Sequence, residues 1–172
     1  MATKVTDPND LFVYKLGVLL KTETAIESML PRLQKEANNA ELASGFERHT
    51  AETRQQIQNI ERVFEALGVR PEALPAPAVE GLEAEYKGFA ASAADDVQPD
   101  VLDVVALGAA AATEHHEIAA YESLITLAGA VGAEDAVPLL EENLEQERNM
   151  LQQVQSFAQR LGEKHRQESA AI

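Results

Sequence analysis

The sequence predicts an all-α fold built as a four-helix bundle, and three observations carry this prediction. Good helix formers (Ala, Leu, Glu and Gln) dominate, only 5% of residues are aromatic, and β-branched runs are nearly absent. Apolar residues recur at helical spacing along four long segments. Breaks with Asn, Gly or Pro separate these segments, at Asn38-Asn39, at 68–78 and at 129–132. A chain of 172 residues is long enough to form one such domain with a sizeable core.

The first two segments predict a helical hairpin. Asp7-Pro8 suits the N-cap and first position of a helix that ends at the break Asn38-Asn39. Pro31 removes a backbone hydrogen bond, so we expect a kink or looser last turns there. The second helix is predicted from about Ala40 to Leu67, with Gly68 as its C-terminal stop.

A proline-rich linker then leads into the second half of the chain. A shorter helix is predicted over Val79 to Ala93, with an inward face of Leu82, Tyr86 and Phe89. The third long helix should open at 95–99 and end near Ala128, before two glycines, with an inward face of Val101, Val104, Val105, Leu107, Ile118, Tyr121 and Ile125. The fourth should begin near Glu134-Asp135 and be closed by Gly162, leaving a frayed tail over 163–172.

The connections determine the predicted topology. Short links join helices one and two, and helices three and four, which makes two antiparallel hairpins. The link between the hairpins is much longer and holds its own short helix, so it can run from one end of the bundle to the other. Two hairpins joined by one long crossover are the ferritin-like arrangement, with a bundle core over about residues 8–161.

Composition excludes several partners and sites. The net charge of -15 repels phosphate, so nucleic acid and anionic membranes are not expected partners. There is no cysteine, which excludes disulfides, zinc–thiolate sites and a thiol nucleophile. The first ten residues have no apolar core typical of a secretory signal, and no stretch is long and apolar enough to span a bilayer. We therefore expect a soluble, cytoplasmic protein.

Three acidic residues, Glu23, Glu114 and Glu147, occupy positions where an apolar residue would complete a helical stripe. An isolated buried carboxylate costs several kcal/mol unless it is paired or neutralised. Glu23 and Glu52 lie about 15 residues either side of the first turn, and the other two about 16 either side of the second, so all four should meet roughly 20–25 Å from the loops. This pattern predicts a shared cation at mid-bundle.

Neighbouring residues could complete the ligand set. Glu117 follows Glu114 by three positions, while His49 precedes Glu52 by three and Gln56 follows it by four, which are the spacings of one helix face. Oxygen-rich shells of this kind suit iron and manganese. Other roles stay open at these positions. His49 could be a hydrogen-bonded core histidine and Gln56 a buried amide. Tyr121 could be a core residue or support a ligand, and His115 could hydrogen-bond a ligand or bind metal directly.

Four segments together resemble the bacterial YciE/YciF family: ETAIESMLP (23–31), FERHTAETRQQIQNIERVFEALG (46–68), EHHEIAAY (114–121) and LLEENLEQE (139–147). The resemblance covers about residues 10 to 161. It implies a ferritin-like, rubrerythrin-related stress-response protein that forms dimers, with a di-metal site on Glu23, Glu52, Glu114, Glu117 and Glu147, and with His49 and Gln56 at matching positions. The chain departs from the family at His116, where an aromatic residue is common, and at Leu151, where an acidic residue is common. Leu151 puts occupancy by two metals in doubt.

The leading function hypothesis is therefore a metal-binding protein with two metal ions, iron ahead of manganese. A reduced iron pair would react with dioxygen or peroxide, and a manganese pair could disproportionate peroxide, so oxidase, peroxidase or catalase-type activity is conceivable. Iron storage would need a closed shell of many subunits. The alternative is a metal-free stress or interaction bundle in which the interior glutamates hydrogen-bond one another, some of them protonated.

Overall fold

A computed structural model of the chain describes residues 5–93 and 97–170. Within these ranges all regular secondary structure is helical, which confirms the all-α bundle. The helices are α1 (Pro8–Glu36), α2 (Ala40–Ala66), α3 (Pro77–Ser92), α4 (Pro99–Val131) and α5 (Val137–Ala170), with one 3₁₀ turn at Glu134–Ala136. None of the helices in the described part of the chain is long and apolar enough to cross a membrane.

Local capping explains where the helices begin and end. The Asp7 carboxylate accepts a hydrogen bond from the backbone N–H of Asp10 (2.9 Å), and the Asn39 side chain accepts one from Glu41 N–H (2.8 Å). Gly68 and Gly132 follow α2 and α4 with φ of 67° and 73°, the left-handed conformation in which glycine ends helices. These caps confirm the predicted hairpin turns.

One expectation about helix ends differs from the structure, and another lies outside the described residues. α1 continues through Pro31 to Glu36, close to the predicted break at Asn38-Asn39, and the kink or looser turns expected at Pro31 stay a prediction. The frayed tail is wrong for the described residues: α5 passes Gly162 and continues to Ala170. A glycine inside a helix costs only about 1 kcal/mol, and His165 and Lys164 lie 3.3 and 3.5 Å from Asp100 of α4. The predicted opening of the third helix at 95–96 lies outside the described residues.

The four long helices form a closed ring of neighbours. α1 packs against α2 and α4, and α5 packs against the same two helices from the opposite side, while α3 lies along α4 and also touches α1. The hydrophobic core has two clusters. One joins the N-terminal half of α1 to the C-terminal half of α2, and the other joins their opposite halves. All neighbouring long helices are therefore antiparallel, and the crossover carries the chain from one end of the bundle to the other, as predicted.

Part of the predicted inward faces is wrong. Phe89, Val101 and Val104 are 39%, 39% and 49% exposed. Near its start α4 turns Asp103 inward together with the predicted Leu107, and the Asp103 carboxylate accepts a hydrogen bond from the backbone N–H at the α1–α2 turn (3.0 Å). Val101 and Val104 lie two helical steps before Asp103 and one step after it, so turning Asp103 inward leaves both valines facing outward. Because the start of α4 is rich in valine, the sequence pattern did not show which of its faces is buried.

Gly17 is where the crossover touches α1, and it provides a test of the fold. The Gly17 carbonyl accepts a hydrogen bond from Leu74 N–H (2.9 Å), and a Cβ at Gly17 would lie 2.7 Å from the Glu72 carbonyl oxygen. Gly17→Ala should therefore lower the free energy of unfolding by about 1–3 kcal/mol, although alanine is the better helix former. Urea denaturation measures the change. Gly108→Ala, at an open position in α4, is the control and should raise stability by about 0.5–1 kcal/mol; equal gains for both variants would contradict the predicted close contact.

Candidate metal centre

A buried polar layer lies between the two apolar clusters, at the middle of the bundle. Each long helix contributes to it from a position flanked by core residues: α1 gives Glu23, between Leu20 and Ile26, and α5 gives Glu147, between Leu144 and Met150. The other members come from α2, α4 and α5, and the layer as a whole consists of Glu23, His49, Gln56, Asn59, Glu114, Glu117, Tyr121, Asn143 and Glu147. Glu23, Glu114 and Glu147 therefore lie in one buried layer, as predicted, whereas Glu52 does not join them.

Four of these side chains form the tightest group. His49, Glu114, Glu117 and Glu147 each offer a ligand atom, and these atoms all lie within 4.8 Å of one another. The group draws on α2, α4 and α5, and all four residues are buried. His49 Nε2 lies 3.3 Å from Glu114 Oε1. Such a cluster of carboxylate oxygens and one imidazole nitrogen is a ligand set suited to iron or manganese.

Glu23 approaches the group from α1 and is held by a tyrosine. Tyr121 donates a hydrogen bond to Glu23 Oε1, and the Tyr121 oxygen in turn accepts one from Asn143 Nδ2 (3.0 Å). Because Asn143 supplies the donor on one side, the Tyr121 hydroxyl is left to donate towards Glu23. This arrangement fixes one oxygen of Glu23 and leaves Oε2 without a hydrogen bond from any described residue.

A second set of amides supports the α2–α5 side. Gln56 Nε2 donates to Glu147 Oε1, and Asn143 Nδ2 donates to the backbone carbonyl of Gln56 (3.2 Å). Asn59 donates to Asn143 Oδ1 (2.8 Å), and its amide also contacts the carboxylate of Glu142 (3.2 Å). Side-chain amides thus hold the outer edge of the layer in place.

Several carboxylate oxygens in the layer have no partner. Neither oxygen of Glu117 accepts a hydrogen bond from a described residue, and the same holds for one oxygen each of Glu23, Glu114 and Glu147. No lysine or arginine is buried among the residues whose side chains the structure describes. Buried acceptors without donors are costly unless they are paired or neutralised.

The protonation of the layer follows from burial and crowding. Burial raises the pKa of Glu23 to about 7, against the hydrogen bond from Tyr121. Burial, followed by the charges of neighbouring carboxylates, raises the pKa values of Glu117 and Glu147 well above the ordinary range. Burial alone would lower the pKa of His49, but contact with Glu114 and Glu52 raises it to about 10. In the metal-free protein the layer therefore retains protons that metal ions would displace.

Glu52 is the predicted ligand that the structure does not bring into the cluster. Its side chain is 42% exposed, and its Oε2 lies 3.7 Å from His49 Nδ1. Each helical step turns a side chain by about 100°, so with Thr53 and Gln56 fully buried, Glu52 falls at the flank of the inward face. The other six predicted residues, Glu23, His49, Gln56, Glu114, Glu117 and Glu147, all lie in the layer. Their role as ligands stays a prediction.

The remaining candidates lie outside the layer, and two of its members were missed. His115 is exposed, His116 is half-buried, and Leu151 is partly buried, so the position of the family's acidic residue presents an apolar side chain. Sequence reasoning overlooked Asn59 and Asn143. The pattern that identified the interior glutamates also applies to both asparagines, because each is a polar residue inside an apolar stripe. Asn143, for example, precedes Glu147 by four positions.

Similarity to known proteins extends over most of the chain. Residues 7–167 match the family described as Domain of unknown function (DUF892). Protein YciF of Escherichia coli (strain K12) is 32% identical over 140 residues, which cover 81% of this chain and 82% of that protein.

Solved structures agree with the fold. The crystal structure of the E. coli stress protein YciF superposes with a TM-score of 0.87 at 29% identity, over 93% of this chain and 99% of that one. YcfI from Rhodopseudomonas palustris, described as a candidate structural protein, superposes with a TM-score of 0.85 at 32% identity, over 90% of this chain and 97% of that one. The protein XCC3681 from Xanthomonas campestris pv. campestris str. ATCC 33913 superposes with a TM-score of 0.71 at 21% identity, over 95% of this chain and 99% of that one. It is similar in fold alone.

Proposed function

This chain belongs to the DUF892 family of YciF-like proteins, and from that premise we propose that it binds two metal ions, iron in preference to manganese, in the carboxylate layer at mid-bundle. The observation that carries the proposal is Glu117, a fully buried carboxylate without a hydrogen-bond donor to either oxygen among the described residues. A side chain of this kind is stable in a core when a cation binds it.

Charge balance supports two ions rather than one. Glu23, Glu114, Glu117 and Glu147 would carry four negative charges when ionised, and His49 is the only buried side chain in the described part of the chain that could carry a positive one. Two divalent ions would neutralise four carboxylates and allow His49 to bind as a neutral imidazole. Leu151 adds no ligand on the α5 side, so the second ion should bind more weakly than the first.

The residues have distinct parts in this proposal. His49, Glu114, Glu117 and Glu147 would hold the first ion, and Glu23 supplies the carboxylate on the α1 side. A bound iron or manganese ion would supply one-electron chemistry towards dioxygen or peroxide. Tyr121 and the amides keep the carboxylates oriented, and the two apolar clusters limit the access of water.

We also propose a stress-related role, since the E. coli relative is described as a stress protein. We further propose that the protein is a cytoplasmic homodimer.

Elemental analysis tests the proposal. Protein stripped with a chelator and reconstituted with Fe(II) without oxygen, or with Mn(II), should bind between one and two ions per chain, with iron retained more tightly. Less than a few tenths of an ion per chain with both metals would refute it. The measured mass of the protein in solution should be that of a dimer. The mass of a closed shell of many subunits would point to iron storage instead.

A metal-free bundle that acts through protein contacts is the second candidate. The observation favouring it is the hydrogen-bonded amide and tyrosine network, which already satisfies one oxygen each of Glu23 and Glu147. With pKa values raised by burial, protonated carboxyls could complete the remaining bonds among themselves. The reconstitution experiment separates the two candidates.

A further inference from the structure

The two ring nitrogens of His49 face different environments. Nε2 points into the layer and lies 3.3 Å from Glu114 Oε1. Nδ1 points the other way, is buried, and has no hydrogen bond to any described residue. On that side Oε2 of Glu52 lies 3.7 Å away.

Glu52 is poorly placed to be a ligand itself. Its oxygens are not part of the group of ligand atoms that lie within 4.8 Å of one another, and its side chain is 42% exposed to solvent. It follows His49 by three residues on the same helix, so the two side chains are neighbours on one face of α2. The distance of 3.7 Å is longer than a hydrogen bond, and a small rotation of the half-exposed carboxylate would close it.

We propose that Glu52 is a positioning residue: it accepts the Nδ1–H of His49 and so directs the Nε2 lone pair towards the metal ions. This inference rests on the proposed function. A neutral imidazole has one protonated nitrogen, and a carboxylate on one side selects the tautomer whose other nitrogen is free to bind metal. Such carboxylate–histidine–metal arrangements orient the ring and raise its basicity.

The geometry also explains why an acidic residue lies at the flank of the inward face. His49 stands between a surface carboxylate and an interior one, Glu114. The backbone carbonyl of His49 is occupied by Thr53 Oγ1 (2.9 Å), and Thr53 itself is fully buried. Glu52 Oε2 approaches Nδ1 from the solvent side, at 3.7 Å.

A double-mutant cycle with zinc as the probe tests this role. Zinc binds nitrogen and oxygen ligands and is diamagnetic, and its affinity can be measured by competition with a coloured chelator. Glu52→Ala should weaken zinc binding about 10- to 100-fold in the otherwise unaltered protein. In a His49→Ala background it should have almost no further effect. Glu47→Ala removes an exposed charge from the same helix and should leave affinity within about twofold.

The outcomes separate the possible roles. An equal loss on adding Glu52→Ala in both backgrounds would make Glu52 a direct ligand, and no loss in either would make it a surface charge; both overturn the proposal. Nitrogen-15 spectra of histidine-labelled protein give a second readout. The zinc form should keep a proton on Nδ1 with metal on Nε2, and a metal-bound Nδ1 would overturn the proposal.

Failure of the proposed function has a different signature. If the unaltered protein binds neither zinc, iron nor manganese, the metal proposal fails and the positioning of a ligand fails with it. The contact between Glu52 and Nδ1 of His49 can then be tested in the metal-free protein. A slowly exchanging Nδ1 proton that is lost in Glu52→Ala supports the contact, and its absence from the unaltered protein refutes it.

Discussion

Glu117→Gln should abolish tight metal uptake and, in the metal-free protein, raise stability. The change keeps the shape of the side chain and removes an ionisable group that lies fully buried among other carboxylates. Burial raises the pKa of Glu117, so folding at neutral pH must protonate this carboxylate or bury its charge. Gln removes that cost and should raise the free energy of unfolding by about 1–4 kcal/mol at neutral pH. Sites that bind ions commonly reduce stability in this way, because groups that suit a ligand repel one another without it.

The measurement pairs metal analysis with denaturation. Glu117→Gln should bind less than a tenth of the iron or manganese that the unaltered protein binds. When both proteins are stripped of metal, the variant should unfold at a higher urea concentration. Glu145→Gln, on the exposed side of α5, removes a charge without touching the layer and should change neither quantity. Unchanged metal content in Glu117→Gln would count against the whole ligand assignment.

The second large effect should be a loss of stability in the metal-free protein as pH rises. The pKa of Glu23 is raised by burial to about 7 in the folded protein, above its ordinary value of 4.5. The folded state therefore holds a proton that the unfolded state releases. The stability linked to Glu23 is fully present below about pH 4.5 and is lost as pH rises through 7.

His49 acts in the same direction at higher pH. Burial opposes its charge, but Glu114 and Glu52 raise its pKa from 6.5 to about 10. Its contribution is present below 6.5 and is lost as pH rises through 10. The other titratable groups of the layer with shifted pKa values, Glu117, Glu147 and Tyr121, also have them raised, so none of these three reverses the trend.

Thermal unfolding from pH 5 to 9, with a chelator present, measures how the stability of the metal-free protein changes with pH. Each pKa unit is worth about 1.4 kcal/mol, and each kcal/mol about 2–4 °C in a domain of this size, so we expect Tm to fall by at least about 5 °C between pH 5 and 8. Glu23→Gln should flatten the lower part of the curve. Saturating Mn(II) should oppose the fall, because metal competes with protons and binds better as pH rises. A metal-free Tm that is constant or rises over this range would contradict the assigned protonation.

The inward carboxylates could be predicted because helical periodicity exposes them. Glu23, Glu114 and Glu147 each interrupt an apolar stripe, and the lengths of the hairpins bring them to one height. Glu52 could not be placed this way. It differs from the buried Thr53 by a single helical step, and periodicity does not locate the edge of a face to within one residue. The same limit applies to Val101 and Val104, which begin a helix that is apolar on nearly every side.

The sequence by itself determined the four-helix architecture, the hairpin turns and the identity of most residues in the interior layer, because spacing, caps and breaks are local properties of the chain. Only the tertiary structure decided how those residues meet. It showed that Tyr121 and Asn143 hold Glu23, that Gln56 holds Glu147, and that Glu52 faces the outer nitrogen of His49. These contacts join different helices or depend on the rotation of one helix against its neighbours, and packing sets that rotation.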